Sequence, residues 1–212
     1  VNMYLKIRDR FPNSVLLESS DYGANDTSVA YICFNAIAEV KLQNGLFACR
    51  YPDGKTTQET VDPQAKIADR ISAFAKCFEG DFSGDRFVSN GLFGFTSYEA
   101  VQYFEDISLT KKEADVDIPD LYYALFQNVI AVNVFNNQAD LYAHCYDTDS
   151  NLDEVVRMLQ SRNISTYPFA RKGAFTSNLS DDEFVELVKK GIHHCHRGDV
   201  FQIVLSRRFS QA

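Results

Sequence analysis

The chain has 212 residues, a formal net charge of −8, and 45% hydrophobic against 24% charged residues, the balance of an ordinary globular protein. No apolar run approaches the ~20 residues needed to cross a bilayer, and so acidic a chain lacks the basic face that nucleic acid or an anionic membrane requires. Neither is expected as a partner, whereas small anionic ligands remain open because local fields in a cleft can oppose the net charge.

The chain opens at Val1 already inside a helical pattern (Met3, Tyr4, Ile7, Phe11), with no targeting segment visible. A short apolar strand follows, Val15-Leu16-Leu17 within Ser14 to Glu18, and runs into a polar loop rich in turn formers, residues 19–26. Strands are predicted over Val29 to Phe34, Ala36 to Leu42 and Leu46 to Tyr51, the last two joined by Asn44-Gly45, the strongest short hairpin signal. Asp62-Pro63 opens a helix carrying Ile67, Ile71, Phe74 and Phe78 at helical spacing. Gly91 to Tyr98 reads as a strand, Glu99 to Phe104 as a helical turn or two, and Asp106 to Asp120 as a charged surface loop. Leu121 to Phe135 and Ala139 to Tyr146 make a long hairpin, and Asn151 is expected to cap a helix bearing Val155, Val156 and Leu159.

A linker, Arg162 to Ser177, separates two expected domains: residues 1–165, and residues 166–212 as linker and start of a second. Ser180-Asp181-Asp182-Glu183 is a capping box, Phe184, Leu187, Val188, Ile192 and Cys195 form an apolar stripe, and Gly198 ends the helix. The β-rich run Asp199 to Phe209 then reads as the first strand of a domain that the chain does not contain, so the chain is expected to be an internal part of a longer protein. Hairpins with intervening helices give the class as α+β, an antiparallel sheet with flanking helices.

The five cysteines, at 33, 49, 77, 145 and 195, are odd in number and include no CxxC pair, so neither a disulfide framework nor a zinc knuckle is indicated. Free thiols fit a reducing cytoplasm. Cys33, Cys77 and Cys195 fall on apolar positions and are expected in the core.

Four places invite chemistry. His193-His194-Cys195-His196 cannot converge on one ion, because consecutive helical side chains point ~100° apart; no metal site is assigned. Gly91-Leu92-Phe93-Gly94 lacks the lysine of a phosphate loop and reads as a bulge or a close backbone approach. Leu16-Leu17-Glu18-Ser19 puts a carboxylate and a hydroxyl where a strand leaves the sheet, suited either to a local cap or to an ammonium-bearing ligand. Gln202 is an amide inside an apolar run and must be satisfied, by a neighbouring strand or by a bound polar ligand.

These blocks resemble a known family. Phe175-Thr176-Ser177-Asn178, the capped helix, and Gly198 through Phe209 are similar to the start of the chorismate-binding domain of the anthranilate synthase component I family. Leu16-Leu17-Glu18-Ser19, Gly91 through Glu99, and Ile118-Pro119-Asp120-Leu121-Tyr122 are similar to its N-terminal domain, in family order over nearly the whole chain. The resemblance implies a large subunit that converts chorismate to anthranilate and pyruvate, using ammonia delivered by a glutamine amidotransferase subunit. It also implies Mg²⁺ in the full-length enzyme, with the metal-binding glutamates and the catalytic His beyond residue 212, so the chain alone is expected to be inactive.

Within the resemblance, Gln202 stands where water-adding relatives carry a Lys that serves as general base. An amide cannot take a proton near neutral pH, which favours ammonia as nucleophile and makes Gln202 the expected catalytic residue. Leu17, Glu18 and Ser19 match the element that binds tryptophan as feedback inhibitor, and Ser28 lies where some members carry a basic residue. Val204 tips the branch towards anthranilate. The alternatives are aminodeoxychorismate synthase component I and a non-catalytic module that binds an effector or a partner.

Overall fold

The computed structural model describes residues 1–18, 28–62, 65, 67–78, 80, 87–109, 117–147, 149–162, 164–165 and 167–211. The chain divides into two compact units, Val1–Ser165 and Thr166–Ala212. Among the described residues no helix is long and apolar enough to cross a membrane.

The first unit is built on two long antiparallel strands, β2 (Val29–Gln43) and β6 (Leu121–Asn133), paired along almost their whole length. Each is flanked on its other edge by two short strands in succession. The first half of β2 pairs with β1 (Val15–Leu17) and its second half with β3 (Leu46–Arg50), which carries β4 (Thr56–Thr60) beyond it. The first half of β6 pairs with β5 (Phe93–Thr96) and its second half with β7 (Gln138–Ala143). The result is a seven-stranded antiparallel sheet among the described residues, and the fold is α+β as the patterning predicts.

Two apolar clusters hold helices to this sheet. α1 (Asn2–Arg8) and α3 (Leu152–Gln160) bring Ile7, Val155 and Met158 against Ile32, Phe34 and Ile130. α2 (Ile67–Ala75) brings Ile67 and Phe74 against Val40, Leu42, Phe47 and Leu121. Burying a side chain of this size contributes roughly 1.5–3 kcal/mol, so these two contacts dominate the attachment of the helices. A 3₁₀ turn over Tyr98–Tyr103 follows β5 and buries Ala100 and Tyr103.

Several sequence expectations need correction. The two strands predicted over 29–42 are one strand, because a β-bulge between Ala36 and Ala38 bends it without ending it. Asn35, at φ 60°, takes the left-handed conformation that asparagine tolerates best among non-glycine residues. Asn44 and Gly45, at φ 53° and 74°, make the predicted tight hairpin turn. Residues 56–60 form an edge strand with every residue exposed, and so carry no apolar alternation to betray it.

Asn151 stands at the N-cap of α3, but its side chain caps nothing. It exchanges hydrogen bonds with Asn128 instead, Nδ2 of Asn128 donating at 2.7 Å and Nδ2 of Asn151 at 3.0 Å. Asn128 is buried on β6, and leaving a buried amide unsatisfied costs about 1–3 kcal/mol, more than a typical N-cap contributes. Of the three cysteines expected in the core, Cys33 is buried while Cys77 and Cys195 are exposed. Cys77 lies past the end of α2, its thiol turned back onto the Ala73 carbonyl, and Cys195 lies one turn beyond the buried part of its helix.

That helix, α4 (Asp181–Arg197), dominates the second unit. Its capping box forms as read: Ser180 Oγ accepts from Glu183 N–H and the Glu183 carboxylate accepts from Ser180 N–H. Gly198 closes it at φ 77°. The expected strand over 199–209 is not one. Only Phe209–Ser210, β9, pairs with Thr176–Ser177, β8, because no other strand among the described residues of this unit offers the run a ladder.

Candidate functional site

The register of β1 on β2 sets Leu17 opposite Tyr31, which brings Glu18 and Ser28 to the same end of the strand pair. Glu18 is exposed directly after β1, and Ser28 is half-buried directly before β2. Ser28 is held there by its carbonyl, which accepts from Val134 N–H at 3.0 Å. Ser19, the third polar member of the expected site, lies outside the described residues.

Leu17 is 38% exposed although it belongs to the ladder, so its side chain presents an apolar surface to solvent. Beyond it, the Tyr31 ring sits 5.7 Å from that of Phe93, and the Tyr31 hydroxyl accepts from Val88 N–H at 3.4 Å. Carboxylate and hydroxyl therefore share one sheet end with Leu17 and Tyr31 but not one face. Leu17 and Tyr31 belong to the side that packs on Phe93, and strand alternation carries residues 18 and 28 to the Leu16–Ile32 side. An exposed carboxylate and a serine hydroxyl can accept from an ammonium.

Gln202 belongs to the second unit, where it is exposed in a segment without regular structure. The alternation of the sequence survives only in part. Ile203 and Leu205 turn towards α4, where a Cβ on Gly191 would come within 3.4 Å of both side chains. Phe201 and Val204 are 101% and 82% exposed.

Ion pairs fasten both ends of this segment. Asp199 accepts from His194 Nδ1 at 2.8 Å, with Arg197 Nε at 3.5 Å. This engages the middle of the His193–His196 run in a C-terminal contact of α4, where cationic side chains suit the helix dipole. Arg207 reaches Asp181 at 2.6 Å and Ser177 Oγ at 2.8 Å, with its guanidinium 4.7 Å from the Phe209 ring centre. Gln202 is thus carried on a stretch pinned before and after it.

Of the glycines in the Gly91–Gly94 block, Gly94 has a clear reason. A Cβ there would stand 1.9 Å from the Tyr122 carbonyl oxygen on β6. The close backbone approach is the reading that holds, and no phosphate loop is built.

Comparison with known proteins bears on both units. The family model for chorismate binding enzymes matches residues 13–212. Anthranilate synthase component 1 of Haemophilus influenzae is 26% identical over 241 residues, covering 94% of this chain and 46% of that protein. The Thermus thermophilus protein of the same name is 27% identical, covering 99% and 44%. Aminodeoxychorismate synthase component 1 of Bacillus subtilis is 25% identical, covering 100% and 45%. The chain spans less than half the length of these relatives. Its fold is similar to that of anthranilate synthase component I from Streptococcus pneumoniae, with a TM-score of 0.60 at 18% identity over 96% of this chain and 45% of that one.

Proposed function

The chain belongs to the chorismate binding enzyme family, and from that premise we propose that it supplies the regulatory domain and the opening of the catalytic domain of an anthranilate synthase large subunit. The observation that carries the proposal is the similarity to two anthranilate synthase component 1 proteins over 94% and 99% of the chain. In this reading the domain boundary falls at residues 165–166. The whole protein adds ammonia to chorismate and releases anthranilate and pyruvate in the cytoplasm, the ammonia coming from glutamine on an amidotransferase partner.

Gln202 supports the choice of nucleophile. Water must lose a proton to attack and needs a base, which an amide cannot be near neutral pH. Ammonia is already a nucleophile, and an amide can orient it by hydrogen bonding. Among the described residues no group of three or more His, Cys, Asp or Glu side chains could hold a metal ion.

Tryptophan is the proposed effector, and Leu17, Glu18, Ser19 and Ser28 its proposed first contacts. The Glu18 carboxylate meets the ammonium, Ser28 adds a hydroxyl, and the exposed Leu17 supplies an apolar contact. Inhibition is then a coupling free energy between this end of the sheet and the catalytic domain. A second reading, aminodeoxychorismate synthase component I, is favoured by the Bacillus subtilis relative that matches the whole chain. Incubating the intact natural protein with chorismate and ammonium separates the two. Direct release of fluorescent anthranilate supports the first, and a product that needs a lyase to become aromatic supports the second.

A further inference from the structure

A cavity of about 620 Å³ opens in the first unit, where the two halves of the sheet part. Its walls are Ile37 and Leu125 on β2 and β6, Tyr51 after β3, and Phe78 past α2. It shares no residue with the Leu17–Ser28 end of the sheet or with Gln202. Small-molecule sites typically measure ~300–1,000 Å³, mainly apolar with a few placed polar groups, and this cavity has that size and character.

The backbone is shaped to make it. Ile37 is the extra residue of the β2 bulge, and bulges re-aim side chains beside binding sites. The bulge is held from Arg50, whose terminal nitrogens donate to the Ala36 carbonyl at 3.1 Å and towards the Ile37 carbonyl at 3.4 Å. Arg50 Nε in turn pairs with Glu39 at 3.1 Å, and Tyr122 donates to the same carboxylate at 2.9 Å. Carbonyls freed by the extra residue thus have a donor, and Ile37 is fixed as part of the wall.

The polar groups define the occupant. Lys55 brings a cation to the lining. Asp53, the carboxylate beside it, is engaged in the turn, where it accepts from Lys55 N–H at 2.9 Å. Asn90 donates to the Phe78 carbonyl at 3.3 Å. His144 Nδ1 lies 2.6 Å from the Phe126 carbonyl, so that nitrogen carries the proton. We propose that this cavity binds a small aromatic molecule bearing one anionic group, its ring against Tyr51, Phe78, Ile37 and Leu125 and its anion at Lys55. One cation next to one carboxylate favours a monoanion over a dianion.

Two exposed thiols, Cys77 and Cys145, line the cavity, while the exposed Cys195 belongs to the other unit. They allow a test on the unaltered protein with naphthoate as the probe. Naphthoate should bind by calorimetry, slow alkylation of Cys77 and Cys145 at least threefold, and leave Cys195 unchanged. Naphthylmethylammonium, of the same shape and opposite charge, should bind at least tenfold more weakly. Lys55→Met should weaken naphthoate at least tenfold, and Ala143→Phe, which fills the lining, should abolish binding. No naphthoate binding, equal binding of the ammonium probe, unslowed alkylation, or affinity indifferent to Lys55→Met would each overturn the proposal.

Discussion

Arg50 and Glu39 face each other across β3 and β2, 3.1 Å apart, and both are about a third exposed, at 36% and 31%. Burial raises the Glu39 carboxyl, but hydrogen bonds from Arg50 and Tyr122 and the charges of Arg50 and Lys41 outweigh it, leaving its pKa below the ordinary value. Tyr122 moves the other way, raised by burial and then by its bond to that carboxylate.

Arg50→Met removes the partner of Glu39 and the donor to the bulge carbonyls. Solvent reaches the pair, which reduces its worth, so a loss of about 1–2 kcal/mol is expected by urea unfolding. Because the folded pKa of Glu39 is depressed, its stabilisation is present above the unfolded carboxyl pKa, about 4.3, and is lost as pH falls through the folded value. The variant should therefore lose less stability than the parent between neutral pH and about pH 3.

Gly94→Ala sets a methyl 1.9 Å from the Tyr122 carbonyl oxygen, an atom of the sheet backbone that cannot turn aside. The β5–β6 ladder must open to admit it. A loss of about 3 kcal/mol is expected, read as a lower denaturation midpoint.

The five thiols should fall into two classes. Burial pushes the Cys33 pKa up to about 12 and also raises that of Cys49, whereas Cys77, Cys145 and Cys195 are exposed. Thiolate is the reactive form. Brief alkylation of the folded protein at neutral pH followed by peptide mass spectrometry should modify the latter three and spare Cys33 and Cys49.

Ser180→Ala removes the acceptor for Glu183 N–H and so half of the capping box. The expected cost is about 1 kcal/mol, confined to α4. Hydrogen exchange should quicken in the first turn of α4 and stay unchanged in the first unit.

Much of the fold was legible because the signals are local. Asn44-Gly45, the Ser180–Glu183 box and Gly198 each specify a conformation within a few residues, and each forms. What escaped depends on distant partners. The bulge at Ala36–Ala38 rests on Arg50 from the next strand, and Asn151 answers to Asn128 some twenty residues away. The run from Asp199 to Phe209 has strand composition, but a strand needs a neighbour, and only its last residues find one. At the candidate site, Leu17 and Glu18 were visible as a polar step after an apolar strand. Their nearness to Ser28 and Tyr31 comes from the β1–β2 register, which no short window contains.

In the proposed function the Glu18 end of the sheet receives tryptophan and restrains an anthranilate-forming enzyme. The chain contains no tryptophan of its own, so in it a change in indole emission on mixing would come from the effector alone. The most direct measurement is anthranilate release by the intact natural protein, given chorismate and ammonium, as tryptophan is raised, for the parent and for Glu18→Ala. The parent should be inhibited, and the variant should keep its uninhibited rate but need at least tenfold more tryptophan for half-inhibition. Identical inhibition curves for the two proteins would contradict the proposal.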